Sequence, residues 1–188
     1  TFFPTEVGRE ETAGQDDARA YFVFMPLMER VTMVDGHPPQ DQVEEPISPG
    51  RPVELEVMVP QPAADLFDLQ VGDRLSAVPH WSDATPHAVV VVSGLFRRTD
   101  PTAGLWHMDD VVFQGSEAFR NLPLYVSKKS YMEVLGAAFR RMGSTYGWLL
   151  FVEPSRLSAR NASEARAAID LMERQLSSDL SSFRQITS

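Results

Sequence analysis

The chain has 188 residues, 43% of them hydrophobic, with 26 acidic against 17 basic side chains and a net charge of −9. That is enough apolar material for one domain or two small lobes, and the acidity repels a phosphate backbone. The only lysines are the adjacent Lys128 and Lys129, so no basic stripe offsets that repulsion. The absence of cysteine excludes disulfides, thiolate metal sites and cysteine nucleophiles. No apolar run approaches the roughly 20 residues of a membrane-spanning helix.

Residues 1–18 are polar after the first aromatics and read as a flexible lead-in with few core contacts. "YFVFMPLMERVTMVDG" then gives an apolar run, an interruption at Pro26, and a strand over Arg30 to Val34 that ends in the Asp35-Gly36 turn signal. Five prolines between His37 and Pro52 predict a meandering loop. "VELEVMVP", residues 53–60, alternates apolar and charged side chains as a half-exposed strand does. Pro62 suits a first helical turn, and Leu66, Phe67 and Leu69 give that short helix an apolar side. Gly72 and Asp73 are then a structural turn, with positive φ at the glycine and the aspartate bonding local backbone. "RLSAVP" and the β-branched "HAVVVVSGLFRR" resume strand character.

The final third changes period. "LPLYVS" is a short strand, Ser127 is an N-cap candidate, and Tyr131, Val134, Leu135, Ala138, Phe139 and Met142 recur at helical spacing before Gly143. "YGWLLFVEP" reads as a buried strand. Asn161, with Glu164 three residues on, opens a longer helix whose apolar stripe is Ala165, Ile169, Met172, Leu176 and Phe183, expected to be buried. The expected fold is α+β, a mixed sheet with a β-rich middle (about 51–113) carrying a short helix, and a helix-strand-helix portion (about 122–184). Residues 19–188 are taken as a single domain.

Chemistry-bearing motifs are sparse. His37, His80, His87 and His107 share no metal-pair spacing, and Asp109-Asp110 on a strand point to opposite faces. Ser93 lacks a nucleophile elbow, "SKKS" at 127–130 is not S-x-x-K, and Gly72 belongs to no phosphate-binding loop. Asn161-Ala162-Ser163 matches a glycosylation sequon, but the asparagine already has a capping role. No catalytic, cofactor-binding or metal-ligating residue is therefore assigned, and no cofactor. Trp81 and Trp106, in the loops "PHWSDATPH" and "RRTDPTAGLWHMDD", either plug the core or stand out as anchors for a partner; burial discriminates the two.

The succession "VTMVDGHPPQ", "VELEVMVPQPAADLFDLQVGDRLSA" and "VVVVSGLFRRTDPTAGLWHMDD" resembles the extracytoplasmic domain of FtsX-like and MacB-like ABC transporter permeases. "LPLYVSKKSYMEVLG" and "YGWLLFVEPSRL" are similar to the segment that follows in larger members, so the resemblance covers about residues 28–157. It implies a non-catalytic domain on the extracytoplasmic face of a bacterial membrane, attached through transmembrane helices of the same permease. The ATPase is then a separate cytoplasmic chain or domain, a protein partner outside the cytoplasm is possible, and nucleic acid is not a partner. The alternatives are a small-ligand sensor or, further off, an enzyme assembled from "HWSD" and "WHMDD"; a deep pocket ringed by Trp81, Trp106, His80 and Asp109 would favour these.

Overall fold

The computed structural model describes residues 1–14, 18–24, 26, 28–41, 52–81, 87–103, 106, 120–145, 154–156 and 158–179. The chain forms two compact units, Thr1–Ser144 and Thr145–Ser188, where the sequence suggested one domain from residue 19. The first unit carries seven strands: β1 (Phe2–Glu6), β2 (Arg19–Val23), β3 (Val31–Gly36), β4 (Val53–Pro60), β5 (Arg74–Pro79), β6 (Ala88–Arg98) and β7 (Asn121–Tyr125). Helix α1 (Gln61–Phe67) lies between β4 and β5. A π-helical turn, Ser130–Leu135, runs into an α-helical turn, Gly136–Ala138, and the two together are called α2.

The sheet is mixed, as expected, but it closes on itself, which the sequence did not reveal. Following the ladders from β1 through β2, β7, β4, β6 and β5 returns to β1, a closed barrel of six strands with β3 appended to β6. Pairs β2–β7 and β4–β6 are parallel and the others antiparallel. The supposed lead-in is part of this wall: β1 pairs along its length with β5, and Phe2 is 1% exposed. A polar sequence hid it because β1 is only five residues long and just one of them is buried.

Inside and outside are set by alternation, with one correction. On β4, Val53, Leu55, Val57 and Val59 point into the main core while Met58 belongs to a second cluster on the outer side. On β6 the inner residues are Ala88, Val90 and Val92, then Leu95, so the phase slips by one. The register shows why: Val57 faces Val92 but Met58 faces Gly94, leaving Ser93 as a bulge whose hydroxyl donates to the Val57 carbonyl at 3.1 Å. The slip turns Phe96 outward, where it packs edge-to-face on Tyr125 at 5.1 Å.

One seam of the barrel is sparse for a covalent reason. Val126 N–H donates to the Val23 carbonyl, so by alternation Leu124 and Leu122 also aim their N–H groups at β2, and position 123 aims toward β4. That position is proline, which has no N–H to give. The β4–β7 pairing is accordingly confined to Met58 and Tyr125.

Helix α1 stops in a left-handed C-cap formed by an aspartate. Asp68 takes φ 51°, ψ 46°, and the next N–H, of Leu69, reaches back to the Ala64 carbonyl at 2.9 Å while the Leu69 side chain is buried. Aspartate tolerates this region better than most residues, which is why a glycine was not needed there. Gly72 has φ +95° and serves the turn into β5.

In the second unit the described residues are a 3-10 turn, Pro154–Arg156, and helix α3 (Ala162–Asp179) with its approach. The strand expected from "YGWLLFVEP" falls on residues outside those described, except for its final proline. Phe183 lies outside them too. The expected buried stripe of α3 is not core: Ala165, Met172 and Leu176 are half-buried and Ile169 is 40% exposed. Asn161 turns its side chain backward, accepting from Ser158 N–H at 2.7 Å and donating to the Arg156 carbonyl at 2.8 Å.

Candidate interaction site

Gly72 and Asp73 hold a turn. Gly72 N–H donates to the Val92 carbonyl at 2.8 Å, and Val92 N–H donates to the Asp73 carbonyl at 2.9 Å, which carries the β5–β6 ladder into the turn. The Asp73 carboxylate accepts the Gln70 N–H at 2.7 Å.

The two tryptophans separate. Trp106 is 1% exposed and sits in the outer cluster with Val31, Met58, Phe96 and Tyr125, the Arg98 guanidinium 4.9 Å above its ring. It is a plug, and the reading of Trp106 as a partner anchor is withdrawn, because its surface is spent on covering the outer face of β4, β6 and β7. Burial in the same cluster, with Tyr21 adding to it, raises the Tyr125 hydroxyl above the ordinary phenol range and keeps it neutral. Trp81 is only partly buried and packs against the other, inner core. A pocket ringed by both tryptophans is thus not assembled; Asp109 and His107 lie outside the described residues.

What Trp81 does build is an aromatic end to the barrel. The β5 strand stops at Pro79 and the turn sets His80 and Trp81 against the start of β1. His80 donates from Nδ1 to the Thr1 carbonyl at 2.8 Å. The Trp81 ring meets Phe2 edge-to-face at 5.3 Å and Phe139 at 6.5 Å, while Phe2 also meets Phe22 at 4.9 Å and Phe139 at 5.2 Å. Such T-shaped contacts fix ring orientation beyond what area burial alone does. Helix α2 supplies Leu135 to this end and the residue just after it supplies Phe139, and its N-terminus is capped as the sequence predicts, Ser130 N–H donating to Ser127 Oγ at 3.1 Å. The helix stops before Phe139, four residues ahead of Gly143. On its outer face Met132 is 52% exposed. Trp81 and Met132 therefore offer partly open apolar surface carried by elements of the same barrel.

Several polar side chains of the described residues hold the fold, while the Tyr125 hydroxyl and Gln61 Oε1 are buried without a hydrogen-bond partner. His37 Nδ1 pairs with the Pro38 carbonyl at 2.9 Å, and Ser127 and Ser130 bond each other. Sequence reasoning missed one cluster. Glu10, in a 3-10 turn after β1, accepts the Ser76 hydroxyl at 2.5 Å and the Gly8 N–H at 3.0 Å, with His87 Nε2 3.5 Å from the same oxygen. The Ser76 hydroxyl, then the Gly8 N–H, hold its carboxyl well down from the usual range, to about 2. No local signal announces the trio, since Glu10 and Ser76 are 66 residues apart. The serine is 0% exposed and bonds the carboxylate, not the imidazole, so the arrangement does not ready a nucleophile. Among the described residues no three histidine, aspartate or glutamate side chains gather closely enough to hold a metal ion, and no helix is long and apolar enough to cross a membrane.

Compared with protein-family models, with curated proteins and with solved structures, the chain matches none.

Proposed function

We propose that the chain is a non-catalytic extracytoplasmic domain of an FtsX-like ABC transporter permease, working by contact with a partner or substrate or by relaying movement of the permease's membrane helices. One observation carries the reading. The stretch "VELEVMVPQPAADLFDLQVGDRLSA" forms β4, α1, a tight turn and the start of β5 in unbroken succession, and β6 follows as "AVVVVSGLFRR", the order that the resemblance implies. A second consideration agrees with it: Glu10 with Ser76, and Ser93 with the Val57 carbonyl, are polar groups of the barrel spent on neighbouring parts of the fold, which suits a scaffold that presents surface. In this reading the membrane helices and the ATPase are contributed by other segments or chains, and the exposed side of α2 at Met132 is the contact surface.

Two measurements test it. The gene around this coding segment is expected to encode apolar spans of about 20 residues with arginine enriched on their cytoplasmic side. A photoreactive side chain at position 132 of the intact protein, in native membranes, is expected to yield a discrete adduct, and one at exposed Glu11 to give none. Flanks without any apolar span, together with no adduct at position 132, defeat the proposal.

A further inference from the structure

Helix α3 carries an apolar pattern that neither core cluster contains, with Leu171, 52% exposed, lying off it. Ala165, Ile169, Met172 and Leu176 follow at four, three and four residues, the a/d seam of a coiled coil and narrower than the stripe of a helix laid on a sheet. None of the four is buried, and Ile169 is 40% exposed. We propose that this seam pairs with the same helix of a second copy of the chain, in antiparallel orientation.

Charge selects both the occupant and the direction. Arg166 and Glu173 are seven residues apart and so occupy the same flanking e position of the seam. With Ile169 set opposite the partner's Met172 and Ala165 opposite the partner's Leu176, Arg166 faces the partner's Glu173, and the two-fold axis repeats the pair. A parallel pairing would set Arg166 beside the partner's Asn161 and Glu173 beside the partner's Ala168, with no ion pair in either place. Neither residue takes part in the ion pairs found among the described residues, Arg9–Glu6, His37–Glu56, Arg74–Glu54 and His87–Glu10. An 18-residue helix spans about 27 Å, so the association is weak and concentration-dependent.

Sedimentation equilibrium of the whole 188-residue chain, from micromolar to millimolar, tests the proposal. The apparent mass is expected to rise from 21.0 kDa toward twice that value, and to rise less at high salt. Ile169→Asp, at a position already open to water, should leave the far-ultraviolet spectrum and melting point unchanged and weaken self-association at least about tenfold. Arg166→Glu and Glu173→Arg should each weaken it, and the double exchange should restore it. Because the chain has no cysteine, Ala165→Cys and Leu176→Cys variants can be oxidised separately and mixed. Only the mixture is expected to cross-link. A monomer at every concentration, association that survives Ile169→Asp, or Leu176→Cys chains that cross-link with themselves would each overturn the proposal.

Discussion

Two glycines show how differently a missing Cβ is used. At Gly72 φ is +95° and nothing lies within 4 Å of where a Cβ would project, so substitution costs backbone strain alone. Gly72→Ala and Gly72→Val should therefore destabilise alike, by about 1 to 3 kcal/mol in urea unfolding. Gly94 is paired with Gly36, and a Cβ there would be driven into the His37 carbonyl and the Met33 methyl. Its cost should grow with side-chain size, with Gly94→Ala at about 1 to 3 kcal/mol and Gly94→Val clearly beyond it. Equal losses for alanine and valine at Gly94 would show that β3 is not packed so tightly. Glu10 supplies the pH dependence at this scale. Its carboxyl titrates near 2 in the fold, against 4.5 when free, chiefly because the Ser76 hydroxyl bonds the carboxylate. A depressed folded pKa adds stability above the unfolded value, and that stability is lost as pH falls from about 4.5 toward 2. Ser76→Ala should be less stable than the parent by about 1 to 3 kcal/mol at pH 7, with the gap closing as the pH nears 2. A gap that persists at acid pH would assign the loss to packing.

Among the elements, α2 matters most to the proposed contact surface. Its Leu135 and the following Phe139 are buried against Phe2, Phe22 and Trp81, while Met132 stays open, so one short helix both seals the barrel end and presents apolar surface. Phe139→Ala would remove the ring that packs on both Phe2 and Trp81 and should cost about 3 to 5 kcal/mol. It should also change the Trp81 fluorescence, since the two rings are 6.5 Å apart. A stability loss with unchanged emission would place Trp81 outside the cluster. The β6 strand has a comparable double role. Its first half lines the barrel wall with β5, its second half carries β3, and the Ser93 bulge between them is what allows one strand to serve both.

For the barrel as a whole, closure gives each of its six strands a neighbour on both sides, by a single residue pair at β1–β2 and at β4–β7, and leaves β3 as the terminal strand of the described sheet. That strand is blunted by a register shift between Met33 and Asp35, with the exposed charge of Asp35 beside it, the usual protection against edge-to-edge pairing. The non-catalytic reading is tested at this scale too. Phosphoryl transfer needs a phosphate cradle and magnesium ligands, and the proposal relies on neither. Purified chain should show no ATP hydrolysis and no nucleotide heat by calorimetry, and EDTA should leave the melting temperature unmoved, since a metal bound to the native state would otherwise contribute to it. A stoichiometric nucleotide complex, or a melting point that falls sharply with EDTA, would favour the sensor or enzyme alternative.

What the sequence determined by itself is whatever depends on neighbours a few residues apart. Alternation in "VELEVMVP" marked β4, Pro62 marked the first turn of α1, and Ser127 marked the start of α2, because strand period and helix-start signals are local rules. The expected apolar side of α1 differs, since the helix buries Ala63 and Ala64, leaves Leu66 and Phe67 half-buried and ends before Leu69. The seam of α3 was equally legible as a pattern, but its four residues are not buried as a core stripe would be. Only the tertiary structure decided that β1 is wall and not lead-in, that the sheet closes, that Trp106 is sealed while Trp81 is not, and that Glu10 meets Ser76 and His87. Each of these depends on pairings between segments far apart in the chain, and the face on which Phe96 meets the Trp106 cluster depends on the Ser93 bulge. A bulge shifts every later side chain to the opposite face without altering the local hydrophobic pattern, so alternation alone could not have placed it.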